Sequence, residues 1–272
     1  MNLYEALFPF YDTVFPVKAP VVDFLAGQFS ASPAVAGSGS GESVTDGGSA
    51  PGGLRLLDAA CGTGGHALAL AKRGFSLSAI DLQAEMIAVA RQKAEGLASP
   101  PRFAVMDMSA VYPETLGRWD GVYCIGNSLP HLGDMTAIRR TLARWAAGMR
   151  TGRGTIVIQV VNFAHVLAKG GQLPTLEGTQ AGRGVRFERR YEPGEEGRIR
   201  FLTRLIVREA DEAAERADEE WTAETQLLPL SPLDLSGALS ELGYDDLRWF
   251  GDLTGKERRA DSPAVVVVAH KA

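Results

Sequence analysis

Three acids close three short apolar runs. Asp58 ends "LRLLD" (54–58), Asp81 ends "FSLSAID" (75–81) and Asp107 ends "RFAVMD" (102–107). The first run leads directly into "AACGTGG", where Gly62, Gly64 and Gly65 fall within four positions. A residue without Cβ tolerates a sharp turn and lets another molecule approach the backbone. "GTGGHA" (62–67) fits the pattern G-x-G-x-x-G/A, and Asp81 follows about 20 residues later, the spacing of a ribose-binding acid. That pair of features suits a nicotinamide dinucleotide and S-adenosylmethionine alike.

Three features separate the two ligands. A carboxylate at Asp58 crowds a pyrophosphate but suits a ligand that presents an ammonium group. Asp107 followed by Met108 offers an acceptor for an adenine amino group beside a polarisable thioether. The Tyr and Lys, four residues apart, that serve common short-chain dehydrogenases are missing. The plainer alternative is that all three acids only initiate the loops that follow them.

The elements that position these residues are regular. Strands at 54–58, 75–81, 102–107, 121–126 and 155–162 alternate with helices at 65–73, 83–95 and 134–149 and a helical turn near 111–117. The strands are nearly continuous apolar runs, which implies a parallel sheet covered on both faces. Helix 231–243 opens on Ser231-Pro232, a good cap and first-turn pair, and ends at Gly243. Strands 246–251 and 264–271 close the chain as an antiparallel hairpin. Before them "VRFERRYE", "RIRFLTRLIVRE" and "WTAETQLLP" alternate apolar with polar residues, the pattern of half-buried antiparallel strands. "EADEAAERADEE" (209–220) reads as a solvated segment.

The expected fold is therefore α/β, a seven-stranded Rossmann-like sheet with helices on both faces and an inserted antiparallel meander. The expected domains are an N-terminal helical cap (1–29), a Gly/Ser-rich flexible linker (30–53), a cofactor domain (54–171 and 231–272) and an insertion over the substrate site (172–230). Over 272 residues the formal net charge is −5, which argues against a nucleic-acid partner. No apolar run is long enough to span a bilayer. The N-terminal residues lack a basic region before their apolar run, so no secretory signal is expected there. Cys61 and Cys124 read as reduced core residues, and the expected location is cytoplasmic.

"LLDAACGTGGHALALAKRGFSLSAIDLQAEMIAVAR" (56–91) resembles the first two motifs of class I S-adenosylmethionine-dependent methyltransferases. "YCIGNSLPHLGD" (123–134) is similar to the corresponding stretch of glycine N-methyltransferases and their bacterial small-molecule relatives. The resemblance implies that Ala60 and the turn at Gly62 and Gly64 contact the methionine part of the cofactor. It implies that Asp81, beside Leu82, takes the ribose hydroxyls with Met86 packing nearby. Asp107 and Met108 would hold the adenine, and Ile125 would line the cofactor. Asn127 and His131 would face the methyl group, Asn127 orienting the acceptor and His131 acting as hydrogen-bond acceptor or weak base. For His131 a purely structural role satisfied by its loop is the alternative. Tyr11 and Lys18 would close over the site from the N-terminal segment. No metal is expected, because no histidine pair has ligand spacing.

One departure bears on the acceptor. Where glycine N-methyltransferases carry Arg-Asn-Tyr-Asp, this chain has Val161, Asn162, Phe163 and Ala164. The arginine that would pair a substrate carboxylate is missing, which disfavours glycine or sarcosine. Arg183, Arg186 and Arg189 are the cations available to replace it. The expected activity is methyl transfer to a small-molecule acceptor, at an amine nitrogen rather than oxygen. A nicotinamide-dependent oxidoreductase and a catalytically silent cofactor-binding scaffold are the rivals. The apolar N-terminal helices offer a surface for a second subunit.

Overall fold

The computed structural model describes residues 3–31, 53–150, 154–209 and 218–271. The body of the expected linker at 30–53 and the centre of the acidic segment at 209–220 lie outside the described residues. The chain forms two compact units, Lys18–Val161 with Leu230–Ala272, and Met1–Val17 with Asn162–Pro229.

The larger unit is built on seven strands: β1 (Arg55–Ala59), β2 (Ser76–Asp81), β3 (Arg102–Val105), β4 (Gly121–Cys124), β5 (Gly154–Val161), β10 (Asp246–Phe250) and β11 (Ala264–Lys271). Their order in the sheet is β10-β11-β5-β4-β1-β2-β3. The first five are parallel, and β11 runs antiparallel to both β5 and β10. The strand order reverses at β1, which has β2 on one side and β4 on the other. Ligands of open α/β sheets bind outside the carboxyl ends of strands at such a reversal.

Val265 to Ala269 are all buried, as a central strand covered on both faces requires. Helices Ala19–Ser30, Gly65–Ala71 and Ala84–Ala94 bury Phe29, Leu70 and Ile87 in one continuous core with Leu56, Leu77 and Tyr123. Helices Met135–Ala147 and Pro232–Ser240 pack on each other and bury Leu142, Trp145, Leu235 and Leu239. Ser231 and Asp234 form a reciprocal capping box at the start of the last helix, and Gly243 follows its end at φ +80°.

The smaller unit carries an antiparallel sheet in the order β6-β7-β8-β9, formed by β6 (Leu176–Gln180), β7 (Arg183–Pro193), β8 (Ile199–Glu209) and β9 (Glu219–Leu227). β6 is short and mostly polar, so the sequence pattern does not reveal it. The apolar face of this sheet, with Val185, Phe187, Leu205 and Val207, packs on Leu3, Leu7, Phe10 and Val14. Its other face is laced with ion pairs, among them Arg204 with Glu188 and Glu220, and Arg200 with Glu192 and Glu224.

The segment expected as a single N-terminal cap is divided between the units. Helices Leu3–Leu7 and Tyr11–Val14 belong with the meander, while Ala19–Ser30 belongs with the parallel sheet. Pro16 and Pro20 flank the break. Phe29 fills the space left by Gly121, where a Cβ would lie 2.5 Å from its ring, and its ring centre is 6.0 Å from that of Tyr123. Replacing Phe29 by Ala is expected to cost about 3–5 kcal/mol of unfolding free energy, as for other buried aromatics. Urea denaturation of Phe29→Ala checks this; a loss under about 1 kcal/mol would show that the helix is not part of that core.

Candidate functional site

The glycine turn is held by hydrogen bonds to the next strand. The N–H groups of Ala60 and Cys61 both donate to the Ile80 carbonyl, at 2.9 and 2.8 Å. The Gly62 N–H donates to Oδ2 of Asp81 at 2.8 Å, and Oδ1 of Asp81 accepts from the Gln83 N–H at 3.0 Å. Ala60 adopts φ +74°, a strained conformation for a residue with a Cβ, and Gly62 and Gly64 have φ +55° and +74°. Gly64 has a reason beyond its turn geometry. A Cβ there would meet the Phe103 ring at 2.6 Å and the Ala90 Cβ at 2.9 Å, so its missing side chain serves packing within the protein.

Asp58 lies in β1, only 2% exposed. Tyr123, its register partner on β4, donates its hydroxyl to Oδ2 of Asp58 at 2.8 Å. Burial pushes the carboxyl pKa up to about 8; the tyrosine bond opposes the shift and the charge of Asp81 adds to it. Burial likewise raises the thiols of Cys61 and Cys124, which are free and poorly suited to nucleophilic chemistry.

Asp107, exposed beyond β3, accepts from the Ser109 N–H at 2.7 Å and caps the 3₁₀ turn Met108–Ala110. Met108 is half-buried. Leu82, just past β2, is 64% exposed, and Val105, the last residue of β3, is 49% exposed. These two exposed apolar side chains lie beside acids at the sheet's carboxyl edge. Met86 is buried in its helix.

Beyond β4, Ile125 is buried, and the Gly126 N–H donates to Oε1 of Gln159 at 2.7 Å. Asn127, buried and at φ +65°, accepts the Val161 N–H on Oδ1 at 2.9 Å, joining the ends of β4 and β5. His131 sits in the 3₁₀ turn Leu129–Leu132 and is exposed. Its surroundings still withdraw enough water to hold the imidazole pKa below its ordinary value. The structure therefore brings Asp58, Ala60, Gly62, Gly64, Asp81, Leu82, Asp107, Met108, Ile125, Asn127 and His131 to one edge of the parallel sheet. Tyr11 is in the smaller unit, its ring 5.0 Å from that of Phe15, and Lys18 is exposed at the start of helix Ala19–Ser30. His270 bonds the Thr155 hydroxyl at 2.9 Å in the core. Among the described residues no cluster of His, Cys, Asp and Glu could hold a metal, and no helix is long and apolar enough to cross a membrane.

Tyr123, Val105 and Gln159 are not singled out by the sequence. Each lies inside a strand that reads as an apolar run, and only the strand order shows that Tyr123 faces Asp58.

Residues 56–152 match the family described as a methyltransferase domain. Glycine/sarcosine N-methyltransferase of Halorhodospira halochloris is 26% identical over 220 residues, 81% of this chain and 76% of that protein. Glycine N-methyltransferase of Oryctolagus cuniculus is 33% identical over 130 residues, and the match takes in 43% of each chain, under half the length of that relative. The match and these relatives identify residues 56–152 as a class I S-adenosylmethionine-dependent methyltransferase domain. The fold agrees: Streptomyces venezuelae DesVI superposes with a TM-score of 0.72 over 100% of both chains, at 16% identity. S-adenosylmethionine is the cofactor of this family, and the dinucleotide alternative for "GTGGHA" falls.

The state of Asp58 makes the stability of the methyltransferase sensitive to pH. A free aspartate ionises near 3.9, whereas the folded carboxyl does so at about 8. Between those values the folded chain holds the extra proton. The stability this group contributes is complete below the lower value and is lost as pH rises through the upper one. Asp58→Asn fixes the neutral form, so its stability relative to the parent should rise steadily from about pH 5 to about pH 8. Denaturant titrations across that range check this, and a difference independent of pH would contradict it.

Proposed function

We propose that this chain transfers a methyl group from S-adenosylmethionine to the nitrogen of a small-molecule amine. The observation that carries the reading is Asp58, a buried carboxyl beside a glycine turn. Such a group is poorly placed for an anion and well placed for an ammonium, whose charge would bring its pKa back down. The residues present fit the cofactor. Asp58 would face the methionine ammonium through the turn at Ala60 and Gly62. Asp81 uses two of its roughly four lone-pair sites on Gly62 and Gln83 and keeps acceptor capacity for ribose hydroxyls. Asp107 and Met108, with Leu82 and Val105, would receive the adenine.

When bound, the cofactor supplies a methyl group on a sulfonium leaving group, so the acceptor needs only a free lone pair. The chain's part is to align the acceptor and hold it neutral. Asn127 fixes the loop between the ends of β4 and β5 through its bond to Val161 and so positions His131. His131, kept neutral by its lowered pKa, accepts the proton that the nitrogen gives up. Nitrogen rather than oxygen is supported by the names of the relatives, and by His131 itself, a weak base better matched to an ammonium than to a hydroxyl. The valine at position 161, in place of an arginine, separates the acceptor from glycine and sarcosine.

Transfer of a labelled methyl group to a panel of primary and secondary amines, with matched alcohols, tests the proposal. Turnover should appear with an amine and not with its alcohol. His131→Gln should lower kcat by about 100-fold without changing S-adenosylmethionine affinity, and should remove an acidic limb of the kcat profile lying below pH ~6.5. Bound cofactor with no turnover over the whole panel would favour the silent scaffold.

A further inference from the structure

Within the smaller unit one arginine stands apart. Arg189 follows Val185 and Phe187 and precedes Tyr191 on the apolar face of β7, where strand alternation would place another apolar residue. Its register partner on β8 is Thr203, buried and donating its hydroxyl to the Ala223 carbonyl at 3.2 Å. The guanidinium lies over two rings, 5.6 Å from the centre of Phe15 and 5.9 Å from that of Phe187. Nη2 donates to the Pro174 carbonyl at 2.9 Å, and Nε is buried without a hydrogen-bond partner. Among the described residues no carboxylate pairs with Arg189. Arg183 and Arg186, the two other cations available to replace the missing arginine, are both taken, by Glu209 and Glu219 and by Glu177 and Glu188.

A half-dehydrated guanidinium without an acid costs free energy that ring contacts offset only in part. Desolvation lowers its pKa, the direction expected when no anion is near. Its planar fork matches a carboxylate, and charge-assisted pairing at a site shielded by rings is stronger than in open water.

We propose that Arg189, walled by Phe15 and Phe187, is an oxyanion-binding site of the meander unit that takes a carboxylate on a small, flat ligand. The carboxylate belongs either to the methyl acceptor itself or to a separate small-molecule ligand. The site stands on the geometry of the meander unit and not on the methyl-transfer reading.

The test uses benzoate as probe and benzamide, its neutral isostere, as control, titrated into the full chain by calorimetry. Saturable binding of benzoate, absent for benzamide and weakened at least about tenfold in Arg189→Leu, is the expected result. Arg189→Lys keeps the charge without the fork, and should bind more weakly than the parent but better than the leucine variant. S-adenosylmethionine titrations on the same samples show that the variants remain folded, and they report on the cofactor reading separately. With an amine substrate in hand, competitive inhibition by benzoate assigns the carboxylate to the acceptor, and unchanged KM assigns it to a second ligand. No saturable binding to the parent chain, or equal binding in Arg189→Leu and the parent, would overturn the proposal and leave Arg189 as a clamp on the Pro174 carbonyl.

Discussion

The bond from the Gly62 N–H to the Asp81 carboxylate is the constraint on which the site depends. It ties the turn after β1 to the end of β2, and the two bonds to the Ile80 carbonyl close the same seam. Gly62 and Gly64 adopt left-handed conformations freely, but Ala60 relaxes from its own unless the surroundings over-determine it. The parallel pairing of β1 with β2 supplies that determination from one side, and Phe103 and Ala90 packed against Gly64 supply it from the other. The same carboxylate that fixes the turn is only half-buried, so it keeps acceptor capacity beyond its two backbone bonds.

Two acids near one turn behave differently because their solvation differs. Asp81, at a strand end, is bonded to backbone N–H groups. Asp58, one strand inward, is enclosed and has a tyrosine hydroxyl for company. Such a carboxyl prefers to be neutral until a cation arrives, which is how a site can discriminate for an ammonium-bearing ligand without a permanent charge in an empty core. The arginine of the meander shows the converse arrangement, a half-dehydrated cation among rings with no carboxylate paired to it among the described residues.

Much of this is legible in the residues. The alternation of apolar runs and helices, the three acids at strand ends and the glycine turn place the parallel sheet and one edge of it. The cap at Ser231 and the meander's period-two pattern are equally plain. What is hidden depends on strand order and packing. Tyr123 faces Asp58 only because β4 lies next to β1, although 65 positions separate the two residues in the chain. β6 lacks an apolar pattern, and the split of the N-terminal helices follows from which core Phe29 and Phe10 each fill. The bond that the carbonyl oxygen of Asn127 accepts from the Val161 N–H likewise depends on β4 and β5 being neighbours.

Calorimetric titration with S-adenosylmethionine, S-adenosylhomocysteine, NADH and NADPH tests most directly whether this turn and its acids bind a sulfur cofactor bearing an ammonium group. The predicted result is roughly micromolar binding of the two sulfur compounds, lost in Asp81→Ala, and none of the nicotinamides. Binding of a nicotinamide cofactor with no binding of either sulfur compound would contradict it.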